Sequence, residues 1–234
     1  SLFFFLRIKI ITTKILIPKM KEIINVKALL GSLFFSWVIS SIVSECVFFI
    51  TSETLCDCSM DKSLFDKYKS DFNRDGFVMM KEAISKTQLN ALRNQLDAWV
   101  EESKNFSESF GEQMDGRPRF DIEPSTHNRD NPALRRIASP VEVSQTYLDV
   151  TRDNAALDLI AHIYNPNIKL VGTKVNLKLP GSGTIVKYHQ DFPFEPHSND
   201  DIMTTLYFLD DVTLENGPLE VVPGSHLKDI YSLW

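Results

Sequence analysis

The sequence predicts a layer of helices followed by an antiparallel β sandwich or barrel. Three observations predict it. Apolar residues recur at helical spacing between Leu64 and Val100. From Ile168 onward the pattern changes to short runs rich in Val, Ile, Leu, Thr and Tyr, separated by Pro-Gly, Asn-Asp and Asn-Gly turns. The composition over 234 residues, 43% hydrophobic and 24% charged, is that of a globular chain long enough to bury one sizeable core, so one main domain is expected. Helices first and strands second give a β core with a helical N-terminal layer.

The chain changes character near Met60. Residues 1–59 are rich in Phe, Ile, Leu and Ser, and Ala28 to Ser44 carry no charge, with Lys14, Lys19, Lys21 and Lys27 before them. That order is how a signal peptide or signal anchor begins, although the uncharged run is at the short limit for crossing a bilayer. The chain opens with Ser1, and Met20 and Met60 are both possible starts, so a non-native extension and a buried helix stand beside the targeting reading. The domain is expected to be residues 60–234.

From Met60, Leu64, Phe65, Tyr68 and Phe72 predict a helix that Gly76 stops, followed by the apolar stretch Phe77 to Met80. Ser85 and Thr87 are candidate caps for a second helix whose face is Leu89, Leu92, Leu96, Trp99 and Val100. Phe106 to Pro124, with its Gly and Pro residues, reads as loop; Val143 to Ile163 reads as one helix ended before Pro166. Strands are expected at Leu170–Leu179, Thr184–Tyr188, Met203–Leu209 and Leu219–Val222.

A net charge of −6, without a basic block interleaved with aromatics, argues against a nucleic-acid partner. All three cysteines, Cys46, Cys56 and Cys58, precede the domain, which excludes a disulfide framework within it. Cys56 and Cys58 lack the further ligands that a metal clip needs.

The chemical signal is Tyr188-His189-Gln190-Asp191-Phe192 at the end of a predicted strand. In extended chain, residues two apart face the same side, so His189 and Asp191 converge on one ion. A further histidine from another strand would complete the 2-His-1-carboxylate facial triad of non-haem Fe(II) oxygenases. His-x-Asp alone is commoner as a solvated pair, and its context decides.

That context is Lys174-Val175-Asn176-Leu177-Lys178-Leu179-Pro180-Gly181 upstream of His189-Gln190-Asp191, then Leu209-Asp210-Asp211 through Glu215-Asn216-Gly217-Pro218-Leu219, then Pro223-Gly224-Ser225-His226. Asp75-Gly76-Phe77-Val78 and Arg117-Pro118-Arg119-Phe120 precede them. In order and spacing these motifs resemble the phytanoyl-CoA dioxygenase family of Fe(II)/2-oxoglutarate-dependent oxygenases, from about Met60 to the end.

The resemblance implies a double-stranded β-helix, the jelly roll or cupin-like fold, mainly β with N-terminal helices. It implies Fe(II), with 2-oxoglutarate and O2 as co-substrates and ascorbate as a reductant. Hydroxylation of a small molecule or acyl-CoA would be coupled to decarboxylation of 2-oxoglutarate to succinate and CO2. His189 and Asp191 match two of the three iron ligands; Lys174, Asn176 and Gln190 match positions near the co-substrate. Family members carry the second iron histidine and a 2-oxoglutarate-clamping arginine after the Pro-Gly-Ser-His motif. Trp234 follows His226 by only eight residues, so the expectation is a C-terminally truncated domain, inactive as it stands.

Other residues have blander readings. His226 is expected to be structural, with its imidazole satisfied by backbone groups; His197 marks either a substrate-facing loop or a solvated turn, His127 is a loop residue and His162 lies on a helix surface. Lys174 is either a co-substrate contact or a solvated strand lysine, and Lys178 with Asn176 is a candidate to order the loop over the iron. Arg117, Arg119, Arg135 and Arg136 either meet an anion or form surface ion pairs. Two rival readings remain: a non-catalytic jelly-roll binding protein with part of the metal site, and a domain tethered to a membrane by residues 28–44. Otherwise a soluble intracellular domain is expected.

Overall fold

The computed structural model describes residues 2–10, 62–114, 116–179, 187–194 and 202–228. Helices α1 (Lys62–Asp75) and α2 (Lys86–Ser103) lie where the apolar periodicity places them. Gly76 ends α1 because it takes φ +82°, a left-handed conformation that is strained for residues with a Cβ, and its N–H returns to the Phe72 carbonyl. Ser85 starts α2 with a reciprocal cap: its hydroxyl accepts from the Gln88 N–H, and the Gln88 side chain accepts from the Ser85 N–H. Leu92, Leu96 and Trp99 of α2 are buried, each contributing about 1.5–3 kcal/mol of transfer free energy.

The region read as loop from Phe106 to Pro124 contains two strands, β2 (Phe110–Met114) and β3 (Arg117–Ile122), and β4 (Leu134–Ala138) follows unannounced. The single helix expected over Val143–Ile163 is broken into α3 (Pro140–Val143), α4 (Gln145–Arg152) and α5 (Ala155–Ile163). Ser144 and Asn154 are the reason: both are extended, and their side chains accept from the N–H groups of Tyr147 and Leu157, starting new helices. Strands β5 (Ile168–Leu177) and β6 (Ile202–Phe208) match expectation. Leu219–Val222 is irregular rather than a strand. Thr184 to Val186 lie outside the described residues, and Lys187 and Tyr188 are not in a strand.

Leu2–Ile10 form a strand, β1. One six-stranded sheet results, ordered β2-β3-β4-β5-β1-β6, with every neighbouring pair antiparallel. The apolar N-terminal extension thus lends a strand between β5 and β6. Residues 11–61, with the uncharged run and the cysteines, lie outside the described residues. Among the described residues no helix is long and apolar enough to cross a membrane.

The registers give the sheet two unlike faces. Phe120, Ile137, Val175, position 4 and Tyr207 line up in one row. Of these, Phe120, Ile137, Val175 and Tyr207 pack in one core with Leu92, Leu96, Trp99, Tyr147 and Ile160 of the helices. A polar knot joins β6 to the α4–α5 corner: Asn154 Oδ1 accepts from the Tyr207 hydroxyl (2.8 Å) and the Leu157 N–H (3.1 Å), while its Nδ2 donates to the Val150 carbonyl (2.7 Å). The adjacent row, Asp121, Arg136, Asn176, position 3 and Phe208, belongs to the opposite face by strand alternation.

Candidate active site

His189 and Asp191 sit in a bend, and their side chains meet. His189 Nε2 is 3.2 Å from Asp191 Oδ1, with the side chains 30% and 47% exposed. The other ring nitrogen, Nδ1, is 2.8 Å from the Lys187 carbonyl. A carbonyl only accepts, so Nδ1 carries the proton of this hydrogen bond. In the neutral imidazole Nε2 then turns a lone pair towards a carboxylate oxygen, an arrangement that calls for a cation between them, whether a proton or a metal. Two donors bound at right angles about 2.1 Å from a metal lie about 3.0 Å apart, so the observed separation fits adjacent ligands. Phe194 closes one side: its ring meets His189 edge-on at 5.6 Å, and its N–H donates to the Asp191 carbonyl. Among the described residues no group of three His, Cys, Asp or Glu side chains gathers to hold a metal; the structure brings together the two candidate residues, His189 and Asp191.

Lys174 and Asn176 stand two apart on β5, on the face turned from the helices: Lys174 is exposed and Asn176 half-buried, while Val175 between them is fully buried. Gln190, between His189 and Asp191, is half-buried. Arg136 pairs in register with Asn176 and shares its face. Its Nε approaches Asp121 Oδ2 no closer than 3.9 Å. Arg135 pairs with Asp121 at 3.0 Å. Arg119 is not a surface residue: its buried guanidinium reaches Glu112 (2.9 Å), Glu142 (2.8 Å) and the carbonyls of Ala138 and Ser139, fastening the β2–β3 hairpin to α3. Lys178 points to structure, donating to the Gly217 carbonyl at 2.5 Å.

His226 is satisfied by backbone, as expected. Its Nε2 is 3.1 Å from the Asn73 carbonyl, and the Gly224 N–H donates to the Asp75 carbonyl (2.8 Å), so the Pro-Gly-Ser-His turn docks on the end of α1. His162 joins α5 to α1 through Asp66 at 2.7 Å. His127 locks its loop, with Nδ1 accepting from the Ala133 N–H and Nε2 facing the Ser103 and Phe106 carbonyls. His197 lies outside the described residues. Sequence reading missed the pairing of Tyr188 with Glu220: the Tyr188 hydroxyl donates to the Glu220 carboxylate, and that bond holds the phenol pKa above its ordinary value. No spacing rule links residues so far apart.

The chain is 39% identical over 98 residues to a probable alpha-ketoglutarate-dependent hypophosphite dioxygenase of Stutzerimonas stutzeri, covering 42% of this chain and 34% of that protein. It is 27% identical over 158 residues to an L-proline trans-4-hydroxylase of Streptomyces griseoviridis, covering 66% of this chain and 52% of the relative. The chain therefore spans about a third and about half the length of these curated relatives. No solved structure matches significantly. The phytanoyl-CoA dioxygenase (PhyH) family model matches residues 72–233, well over half of the sequence and including both proposed ligands, and the chain belongs to that family.

Proposed function

We propose that this protein is a non-haem Fe(II)/2-oxoglutarate-dependent dioxygenase that hydroxylates a small organic molecule or acyl-CoA on a double-stranded β-helix built mainly from residues 60–234, with β1 added between β5 and β6. The observation that carries the reading is the 3.2 Å approach of His189 Nε2 to Asp191 Oδ1, with Nδ1 engaged by a carbonyl. The antiparallel sheet and the family membership support it. The activities for which the two relatives are named, on hypophosphite and on proline, favour a small substrate over an acyl-CoA.

Fe(II), when bound, supplies the redox chemistry that couples O2 and 2-oxoglutarate to hydroxylation, with succinate and CO2 as co-products and ascorbate as reductant. The protein's part is geometry and charge. The Lys187 carbonyl fixes the His189 tautomer so that Nε2 is the donor; the Asp191 carboxylate adds negative charge beside it. Lys174 offers an ammonium and Asn176 an amide to a co-substrate carboxylate from one face of β5, and Gln190 lies between the ligands. The Phe194 ring packs edge to face with the imidazole.

The test uses protein expressed from the complete coding sequence and follows CO2 released from carboxyl-labelled 2-oxoglutarate with Fe(II) and O2, which needs no prime substrate. His189→Ala and Asp191→Ala are expected to reduce release to that of free iron. Equal release in folded wild type and both variants, or none in iron-loaded wild type across small-molecule and acyl-CoA panels, refutes the proposal and favours a binding protein.

A further inference from the structure

The bend that carries His189 and Asp191 is not held by strand pairing among the described residues, yet two donors must stay within a few tenths of an ångström of each other's required places. Residues 213–226 meet it through Glu220. They have no regular strand, but they are internally tied: Asn216 Oδ1 accepts from the Thr213 N–H (2.9 Å), and its Nδ2 donates to the Asp211 carbonyl (2.7 Å). They are also fastened at both ends. Lys178, just beyond β5, donates to the Gly217 carbonyl at 2.5 Å and fills the space where a Cβ on Gly217 would stand, 2.6 Å from its Nζ. Gly224 and His226 are bonded to the carbonyls of Asp75 and Asn73 on α1. Between these fastenings Glu220 accepts from the Tyr188 hydroxyl. Tyr188 is 64% exposed, so packing does little to hold it, and it is bonded in sequence to His189.

We propose that residues 213–226 are a brace for the metal-binding bend, and that Glu220, acting through Tyr188, is a positioning residue for His189 and Asp191. The proposal rests on the reading of His189 and Asp191 as metal ligands. His189 takes its orientation from the Lys187 carbonyl, so whatever fixes the backbone at Tyr188, between them, fixes where Nε2 points. The brace thereby ties the ligands to α1 and to the end of β5.

The full chain, free of metal, is titrated with Co(II), followed by its visible absorption, and amide exchange is measured at residues 187–191. Tyr188→Phe and Glu220→Ala are each expected to weaken Co(II) binding about three- to tenfold, the size of one hydrogen bond, without further loss in the double variant. Glu220→Gln, whose amide oxygen still accepts from the phenol, is expected to stay near wild type. Faster exchange at His189 to Asp191 should accompany the loss. Unchanged affinity and exchange in Tyr188→Phe, or additive losses in the double variant, overturn the brace. If wild type and Asp191→Ala take up Co(II) equally, or not at all, it is the ligand reading that fails. The brace is then judged on exchange alone, and unchanged exchange in Tyr188→Phe overturns it.

Discussion

Gly76→Ala, made with and without His226→Ala, tests whether the Pro-Gly-Ser-His turn is seated on α1. Gly76 has φ +82°, and a Cβ added there would lie 2.3 Å from His226 Nδ1 and 2.7 Å from its Cγ. Two costs therefore combine. The left-handed backbone costs an alanine about 1–2 kcal/mol whatever surrounds it. Displacing the imidazole, as in overpacking, adds about 1–3 kcal/mol. Gly76→Ala in the wild-type background should then lose about 2–5 kcal/mol. His226→Ala alone forfeits the bond to the Asn73 carbonyl, about 0.5–1.5 kcal/mol. In that background only the backbone cost of Gly76→Ala remains, leaving a coupling of about 1–3 kcal/mol. Urea unfolding of the four proteins measures it. A coupling below about 0.5 kcal/mol, within ordinary additivity, would show that His226 does not rest on Gly76.

Two further outcomes follow from the core and the sheet. Burial raises the folded pKa of Tyr147 and Tyr207 well above the ordinary value near 10. Their contribution is therefore complete below pH 10 and lost as pH rises above it, by up to about 1.4 kcal/mol per pH unit for each tyrosine. Tyr147→Phe should flatten urea stability between pH 10 and 11.5, and an unchanged slope contradicts the burial. In β1, position 5 pairs with Lys174 on one side and Leu206 on the other, so Phe5→Pro should remove a ladder hydrogen bond and cost at least about 1 kcal/mol, with faster amide exchange in β5 and β6. A chain beginning at Met60 should show the same exposure; unchanged exchange in both would make the N-terminal strand dispensable.

Strong periodicity was legible: α2, β5 and β6 fall where their apolar residues place them, because each buries one stripe or face in the common core. The hairpin of β2 and β3 was hidden behind the Gly and Pro residues that suggested a loop, although Asp115-Gly116 between them is a hairpin signal in its own right. The helix read as continuous from Val143 fails at Ser144 and Asn154, whose short polar side chains bind the next turn's N–H groups more effectively than the helix accommodates them. Leu219-Glu220-Val221-Val222 has strand composition without strand pairing among the described residues; Glu220 meets Tyr188, and Gly224 and His226 just after it dock on the end of α1, contacts that composition does not encode. The meeting of His189 and Asp191 was readable because the two stand only two residues apart. The tie to Glu220 and the pairing of Arg119 depend on residues brought together by the fold.

The same burial that stabilises the sheet also decides where the candidate co-substrate residues stand. Val175 is fully buried against the helices, and strand alternation then obliges Lys174 and Asn176 to take the other face. A slip of β5 by one residue would carry the Lys174 ammonium into the place of Val175 and turn Val175 outward. An unpaired charge buried in that way costs several kcal/mol, comparable with the whole stability of a domain. Register is thus set by the row of Phe120, Ile137, Val175 and Tyr207, none of which touches the proposed chemistry. Among the described residues the bend at His189 is in no strand pair, and the bonds that reach it include the one from Glu220 to Tyr188. Core substitutions should therefore act on stability, and Tyr188→Phe and Glu220→Ala on metal affinity.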